Sequence, residues 1–523
     1  MRSILTTLIA ATAFSSPVPA QCPQSEALPA ETQIGDSFGA QVAIEGDDVW
    51  VSAPNWVDPT TSDALGKLYR MNSAGVVTGS FSPAIDPETR YGDALAVDGD
   101  RVVVGAWSSD VPWFNAGRVW IHEWDGVAWS AHSIVPTPAV FNGRFGRSVA
   151  IEGDVLAVGA PADGSSSEGS VHIFRETAGA WQLEEVLVSP VTPVATNTFG
   201  QAIALDDGRL FVTAPAESVS AQKNGRLYIY EHTGTSWTVI DSVNNPVQTT
   251  SATFGVSIAV DGDTVLVGDS QAFGILAIGS VYSFIETTPG DWTIGATLPT
   301  YTGSYFGKSV ALRGDTALVG APDDGGFVER PGSVYVFERS AGVWTESHRY
   351  QPMTIQDRNN FGWSVAMGED LWVGGLRQID PAAEPTGVQL FDPALAEFVE
   401  PWIDIGGVLP GSGGIPFLVG HAPLCQGATV RAFGEGMVPD PMVWLVLGLS
   451  AANLPFKGGV MVPQPDLILG PFVGTPGGDI ELLLPIGFAM PASTTIVMQM
   501  WIAEPGSPFA FAATNGISGT SPP

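Results

Sequence analysis

One stretch recurs seven times along this chain, and nothing else in it restricts the fold as strongly. "FGAQVAIEGDDVWVSAP" begins at Phe38, "YGDALAVDGDRVVVGAW" at Tyr91 and "FGRSVAIEGDVLAVGAP" at Phe145. "FGQAIALDDGRLFVTAP" follows from Phe199, "FGVSIAVDGDTVLVGDS" from Phe254, "FGKSVALRGDTALVGAP" from Phe306 and "FGWSVAMGEDLWVGGL" from Phe361. Successive starts lie 53, 54, 54, 55, 52 and 55 residues apart. Each copy holds two apolar runs separated by a short acidic turn with a central glycine. Glycine supplies the positive φ that a tight hairpin needs, and aspartate tolerates the same region.

Further along each copy come "GRVWIHE" (117–123), "GSVHIFRE" (169–176), "GRLYIYE" (225–231), "GSVYSFIE" (279–286) and "GSVYVFE" (332–338). A tryptophan follows a short turn later, at Trp129, Trp181, Trp237, Trp292 and Trp344, with Phe398 near that slot in the last copy. β-Branched and aromatic residues at period two between Gly and polar turns read as strands. Four strands per copy, repeated radially, make an all-β, seven-bladed β-propeller. The phase of the tryptophans predicts packing between blades rather than a ligand platform. The segment "SEALPA" (25–30) precedes the first Phe-Gly as outer-strand residues precede the later ones. It is expected to complete the last blade and remove an exposed edge; the competing closure uses "EFVEPW" (397–402) alone.

The sixth copy carries Arg313-Gly314-Asp315, a tripeptide that cell-adhesion receptors recognise. It fills the slot of Glu45-Gly46-Asp47, Asp98-Gly99-Asp100, Glu152-Gly153-Asp154 and Asp261-Gly262-Asp263. Turn chemistry accounts for it without an adhesion role.

The pattern "FGxSVA…GAP…GSVY" resembles the FG-GAP repeat of integrin α-subunit propellers and of many secreted bacterial proteins, over roughly residues 30 to 400. That resemblance implies a propeller that binds an extracellular partner. Integrin-type blades often carry a Ca²⁺ loop between the first two strands. Here that connection is only "EGD" or "DGD", too few oxygens for an ion that takes six to eight. Asp163 in "PADGSSSEGS" and Asp323-Asp324 in "PDDGGFVERPGS" are the remaining metal candidates. They lack ligand spacing, so any Ca²⁺ binding is expected to be weak and outside the hairpins.

From about Trp402 the repeats stop, and short apolar runs alternate with Gly/Pro turns: "TVRAFGE", "MVWLVLGL", "DIELLLPI", "TTIVMQMWIA". A small β-sandwich over 402–523 is expected after a propeller spanning 23–401. "PFKGG", "QMW" and the late "ATN" resemble a C-terminal module of secreted planctomycete-type repeat proteins.

The chain opens with Arg2, an apolar run from Ile4 to Phe14, and Val18-Pro19-Ala20. This reads as a signal peptide over 1–20, so the protein is expected to be secreted or at the cell surface. A lipid anchor on Cys22 would need a small residue before it, and Gln21 stands there. No later stretch has the length of a transmembrane span. Cys22 and Cys425 are the only cysteines, and their pairing is left open.

With 54 acidic against 21 basic residues the net charge is −33. That sign disfavours nucleic acid and anionic lipid, and suits solubility. No catalytic constellation is legible. "FGKS" (306–309) mimics the end of a phosphate loop, but the motif's first glycine would fall at Thr302. No G-x-S-x-G elbow occurs. His122, His132, His172, His232, His348 and His421 show no metal spacing. The expectation is a monomeric binding protein, not an enzyme, that presents one propeller face to an extracellular protein or glycan. The alternative is an extracellular hydrolase with its site at the central channel.

Overall fold

The computed structural model describes residues 24–391 except 33–34, 84–88, 166, 192–196, 220–221, 224, 248–252, 271–277, 299–300, 303, 325–331, 353–359 and 378–386. Beyond these it describes residue 393 and eleven stretches between 402 and 520. The chain divides into two compact units, Ser25–Phe391 and Asp392–Pro523 with Met1–Gln24.

Ser25–Phe391 is a propeller of seven antiparallel blades. In chain order the inner strands are Val42–Glu45, Ala94–Asp98, Ser148–Glu152, Ile203–Asp206, Phe254–Asp261, Ser309–Arg313 and Phe361–Met367. In the first six blades each is followed outward by three strands in sequence, as Val155–Ala160, Ser170–Thr177 and Ala180–Val188 follow in blade 3. Every inner strand lies against the inner strand of the next blade, and that of blade 7 lies against that of blade 1, so the ring is closed. The expected closure is present. Gln24–Ala27 forms the fourth strand of blade 7, outside Val388–Phe391. Of the competing segment, 397–401 lies outside the described residues, while Trp402–Gly406 pairs in the other unit.

The repeat consensus follows from one junction between blades. The Phe or Tyr that starts each copy is buried, at 0 to 3% exposure. Its ring meets aromatics on the third strand of its own blade, as Phe306 meets Tyr335 and Phe337 at 5.4 and 5.9 Å. Its backbone enters a slot in the preceding blade. A β-carbon on Gly320 would overlap the carbonyl oxygen of Gly362, and one on Gly332 that of Phe361. The same holds at Gly159 and Gly169 against Gly200 and Phe199. The two glycines in "GAP…GSVY" are therefore room for the next blade's Phe-Gly.

A hydroxyl ties the junction. Ser148, Ser257, Ser309 and Ser364 donate to the carbonyls of Gly200, Gly307, Gly362 and Gly39 at 2.8 to 2.9 Å. The Ser364 bond joins the last blade to the first. In blade 4 the serine position is Ala202, and the facing residue of the second strand is Thr213 instead of Gly. Thr213 makes the equivalent bond to Gly255 at 2.8 Å.

The recurring tryptophans pack between blades, as their phase predicts. Trp292 meets Phe211 of the preceding blade edge to face at 5.3 Å, and Trp129 meets Trp50 at 5.4 Å. Phe398 lies outside the described residues.

The C-terminal unit is also antiparallel β. Its larger sheet runs Trp402–Gly406, Gly516–Thr520, Thr495–Ala503, Met442–Gly448, Leu467–Val473, with Phe511–Ala513 beside Thr495–Ala503. Phe417–His421, Thr429–Glu435 and Ile480–Pro485 form a second sheet, and Ala451–Phe456 with Gly459–Pro463 a hairpin. Residues 1–23, Cys22 and Cys425 lie outside the described residues.

Candidate functional site

The sequence-selected carboxylates hold loops to strands. Asp163 accepts hydrogen bonds from the Ser170 hydroxyl at 2.6 Å and the Gly164 N–H at 2.9 Å, with His172 Nε2 at 3.4 Å. Burial pushes its carboxyl up, but the bonds from His172, Ser170 and Gly164 outweigh that and hold it below its usual range. Asp324, in the same repeat slot, takes the Tyr335 hydroxyl at 2.7 Å and Arg349 Nη2 at 2.5 Å. The Asp323 N–H donates to the Ser304 carbonyl at 3.2 Å. Glu217 fills the slot in blade 4 and accepts from Tyr228 and Ser189. The recurrence marks this slot as a tie between the loop after the second strand and the third strand. Among the described residues no three His, Cys, Asp or Glu side chains gather as a metal would require. His122 is similarly absorbed: its Nε2 lies 2.6 Å from the Tyr91 hydroxyl, and burial pushes its pKa down to about 4.

A different set of residues converges at the centre. Each inner strand begins at the Phe-Gly end of the ring, so the residue after each Phe-Gly points towards the axis. These residues are Ala40, Asp93, Arg147, Gln201, Val256, Lys308 and Trp363, and all seven line one cavity of about 520 Å³. Arg90, Trp107 and Arg377 join them from adjoining loops. Four of the chain's 21 lysines and arginines thus share one opening, with Asp93 as the carboxylate among its lining residues.

Two indoles organise the cations. Lys308 Nζ sits 4.7 Å and the Arg377 guanidinium 4.3 Å from the Trp363 ring. Arg90 and Arg144 flank Trp107 at 5.7 and 5.4 Å. Cations over indole faces are attracted by the ring quadrupole, and both partners lose freedom. Asp93 is already engaged: Arg90 Nε bonds it at 2.7 Å, and Trp107 Nε1 also donates to it. Lys308 is pushed down to about 8, by burial first and then by Arg147 and Arg377. Burial also lowers Arg147 and Arg377, with Asp93 opposing.

Reading motifs one at a time hides this site. "FGKS" fails as a phosphate loop, and as a single copy it is only the start of a strand. The available signal is the third position of the repeat, which varies as Ala, Asp, Arg, Gln, Val, Lys and Trp between nearly constant neighbours.

The Phe-Gly end also carries the longer connections. In blades 2 and 3 they expose Trp113 (57%), Phe114 (54%) and Phe141 (67%), and the two Phe rings lie 5.7 Å apart. The loops are tied together: Asn142 N–H donates to the Phe114 carbonyl at 2.8 Å, and Arg144 N–H to the Asn115 carbonyl at 3.0 Å. This aromatic shelf is therefore held in place beside Trp107 and Arg144.

Ring closure, blade order and the glycine slots define a seven-bladed β-propeller. Residues 131–174 and 300–337 match the FG-GAP repeat family. The chain is similar in structure to the β-propeller domain of the trilobed protease from Pyrococcus furiosus, at 10% identity and a TM-score of 0.41, over 64% of this chain and 90% of that one. It is likewise similar to a putative 6-phosphogluconolactonase from Bacteroides uniformis, at 13% identity and a TM-score of 0.41, over 63% and 89%. No curated protein matches the chain.

Proposed function

We propose that this is an exported binding protein that presents the Phe-Gly end of its propeller to an extracellular protein or glycan. The aromatic shelf of Trp113, Phe114 and Phe141 carries this reading. Two phenyl rings exposed together on braced loops, with exposed Trp113 next in sequence, offer much area at little entropic cost, the composition of a recognition surface. The apolar run after Arg2 and the small residues before Gln21 support export. The strands, turns and glycine slots act as a scaffold, and loops on one face carry recognition. Binding here needs no bond to be made or broken, so the chain is read as a binding protein rather than a hydrolase.

Screening the purified protein on glycan and extracellular-protein arrays tests this. The expected result is retention of a defined set of ligands and loss of at least tenfold in affinity for the Phe114→Ala/Phe141→Ala variant. An empty screen, or retention unchanged in that variant, overturns the reading.

A further inference from the structure

We propose that the mouth of the central channel binds a compact oxyanion carrying two or more negative charges, such as a phosphate, a sulfate group or a tricarboxylate, held by Arg147, Lys308 and Arg377. The proposal rests on the cavity and not on the aromatic shelf, so either can fail alone.

The repeat provides its own control. The slot of Arg147 and Lys308 is filled by Ala40, Gln201 and Val256 in other blades. Those blades have the same strand, so the architecture has no need of a cation there. Bringing like charges together at one half-buried opening is unfavourable, and the fold maintains it with cations from blades 3, 6 and 7. In a chain of net charge −33, neutral or acidic residues at these positions would be the default.

The cations also lack a full counter-charge: Asp93 attracts all three, but no described carboxylate bonds them. Among the described residues, neither the Arg147 nor the Lys308 side chain makes a hydrogen bond or ion pair, and Arg377 Nε is buried with no hydrogen-bond partner. Asp93 is taken by Arg90 and Trp107. Setting Asp93 against the four lining cations leaves three positive charges. A monoanion would leave most of that charge uncompensated, whereas a dianion or trianion matches it. Two guanidinium forks and one ammonium suit tetrahedral or carboxylate oxygens, the forks supplying paired donors and the lysine a point charge. Trp363 holds Lys308 and Arg377 in place before any ligand arrives, which lowers the ordering cost of binding. The cavity of about 520 Å³ falls within the usual range for small-ligand sites.

Isothermal titration with sodium sulfate, inorganic phosphate and citrate, at ionic strength held constant with sodium chloride, tests the site. The expected result is saturable binding of at least one probe, weakened at least tenfold in Arg147→Ala/Lys308→Ala and largely retained in Lys308→Arg. A sulfated disaccharide titrated beside its unsulfated form separates the sources. Tighter binding than free sulfate assigns the anion to a sugar chain, and equal binding assigns it to a free ion. No saturable binding beyond the chloride control, or equal affinity in the double variant with its fold intact, overturns the proposal. So does binding of the unsulfated sugar as strong as the sulfated one, with no response to the free anions.

Discussion

The two ends of the propeller's inner strands carry opposite charge and use it differently. At the turn end each acid reaches the next blade. Asp98 accepts from the Gly153 N–H at 2.6 Å, and Glu152 from those of Asp207 and Gly208 at 2.8 and 3.0 Å. Asp206 accepts from Gly262 at 3.0 Å, and Asp261 from Gly314. These carboxylates satisfy backbone donors and link blades. At the Phe-Gly end Arg147, Lys308 and Arg377 make no ion pair among the described residues, and Lys308 and Arg377 rest on the Trp363 ring. A charge that recurs in phase with a repeat belongs to the architecture. A charge that departs from the phase and has no ion-pair partner is a candidate for recognition.

Glycine substitutions sharpen the contrast most. At the Phe-Gly end, Gly320 is required for space, because a β-carbon would overlap the Gly362 carbonyl of the next blade. Gly320→Ala is expected to destabilise the propeller by roughly 3 kcal/mol in urea unfolding, the upper range for overpacking. At the turn end, Gly314 has φ of +55° and nothing within 4 Å of its missing β-carbon. Gly314→Val is strained in its backbone alone and is expected to cost about 1–2 kcal/mol. Equal costs at the two positions would mean that the blade slot relaxes.

The ring itself was legible in the sequence because both ends of each strand are constrained by repeated backbone geometry. The Phe-Gly pair, the "GAP" glycine and the turn tripeptide occur at fixed phase, so the blade count could be read directly. The closing segment carries no such motif: the sequence offers 25–30 against a competitor at 397–402, and the strand that closes blade 7 is Gln24–Ala27. The site was less legible because it is assembled across blades. Arg147, Lys308 and Arg377 lie far apart in sequence and meet only when the ring closes. Arg377 stands in the slot of the "GAP" proline, as Trp107 does in blade 2, and a single copy does not show that this slot faces the channel. Asp163 and Asp324 drew attention by charge although their partners, Ser170 and Tyr335, lie on neighbouring strands.

A smaller effect of opposite sign distinguishes the ends by pH. Lys308 is pushed down to about 8 from an ordinary 10.5. Below pH 8 it is charged in both folded and unfolded chains, and its burial beside other cations lowers stability by the full amount. As pH rises from 8 towards 10.5 the unfolded chain still binds this proton while the folded one has released it. The cost diminishes over that window. Lys308→Met keeps most of the stem and is expected to stabilise the protein at pH 7 by ~1 kcal/mol, after allowing for solvent screening. The gain should shrink between pH 8 and 9.5 in urea unfolding. A loss of stability at pH 7 would show that the lysine is paired in solution, and the contrast between the two ends would narrow.

The least effect is expected where the turn end departs from its own phase. Arg313 replaces the acid that elsewhere reaches the next blade, and its Nη2 lies 3.6 Å from Glu369 Oε2 in the turn of blade 7. The link between blades is kept with its polarity reversed. Asp315, the last residue of the tripeptide, is held by Arg339 Nε at 2.6 Å, and its carbonyl accepts the Arg339 N–H at 2.7 Å. With side chains 55% and 82% exposed, the Arg313–Glu369 pair contributes little. Arg313→Ala is expected to change unfolding free energy by no more than about 0.5 kcal/mol. A receptor that grips the tripeptide would have to take Asp315 from Arg339, so cell attachment to the immobilised protein is expected to be the same for Arg313→Ala as for the natural chain. Attachment lost in a variant that keeps its melting temperature would make this turn a recognition element. A departure from phase would then signal recognition even where the residue has a partner, and the rule drawn from the two ends would have to drop its second condition.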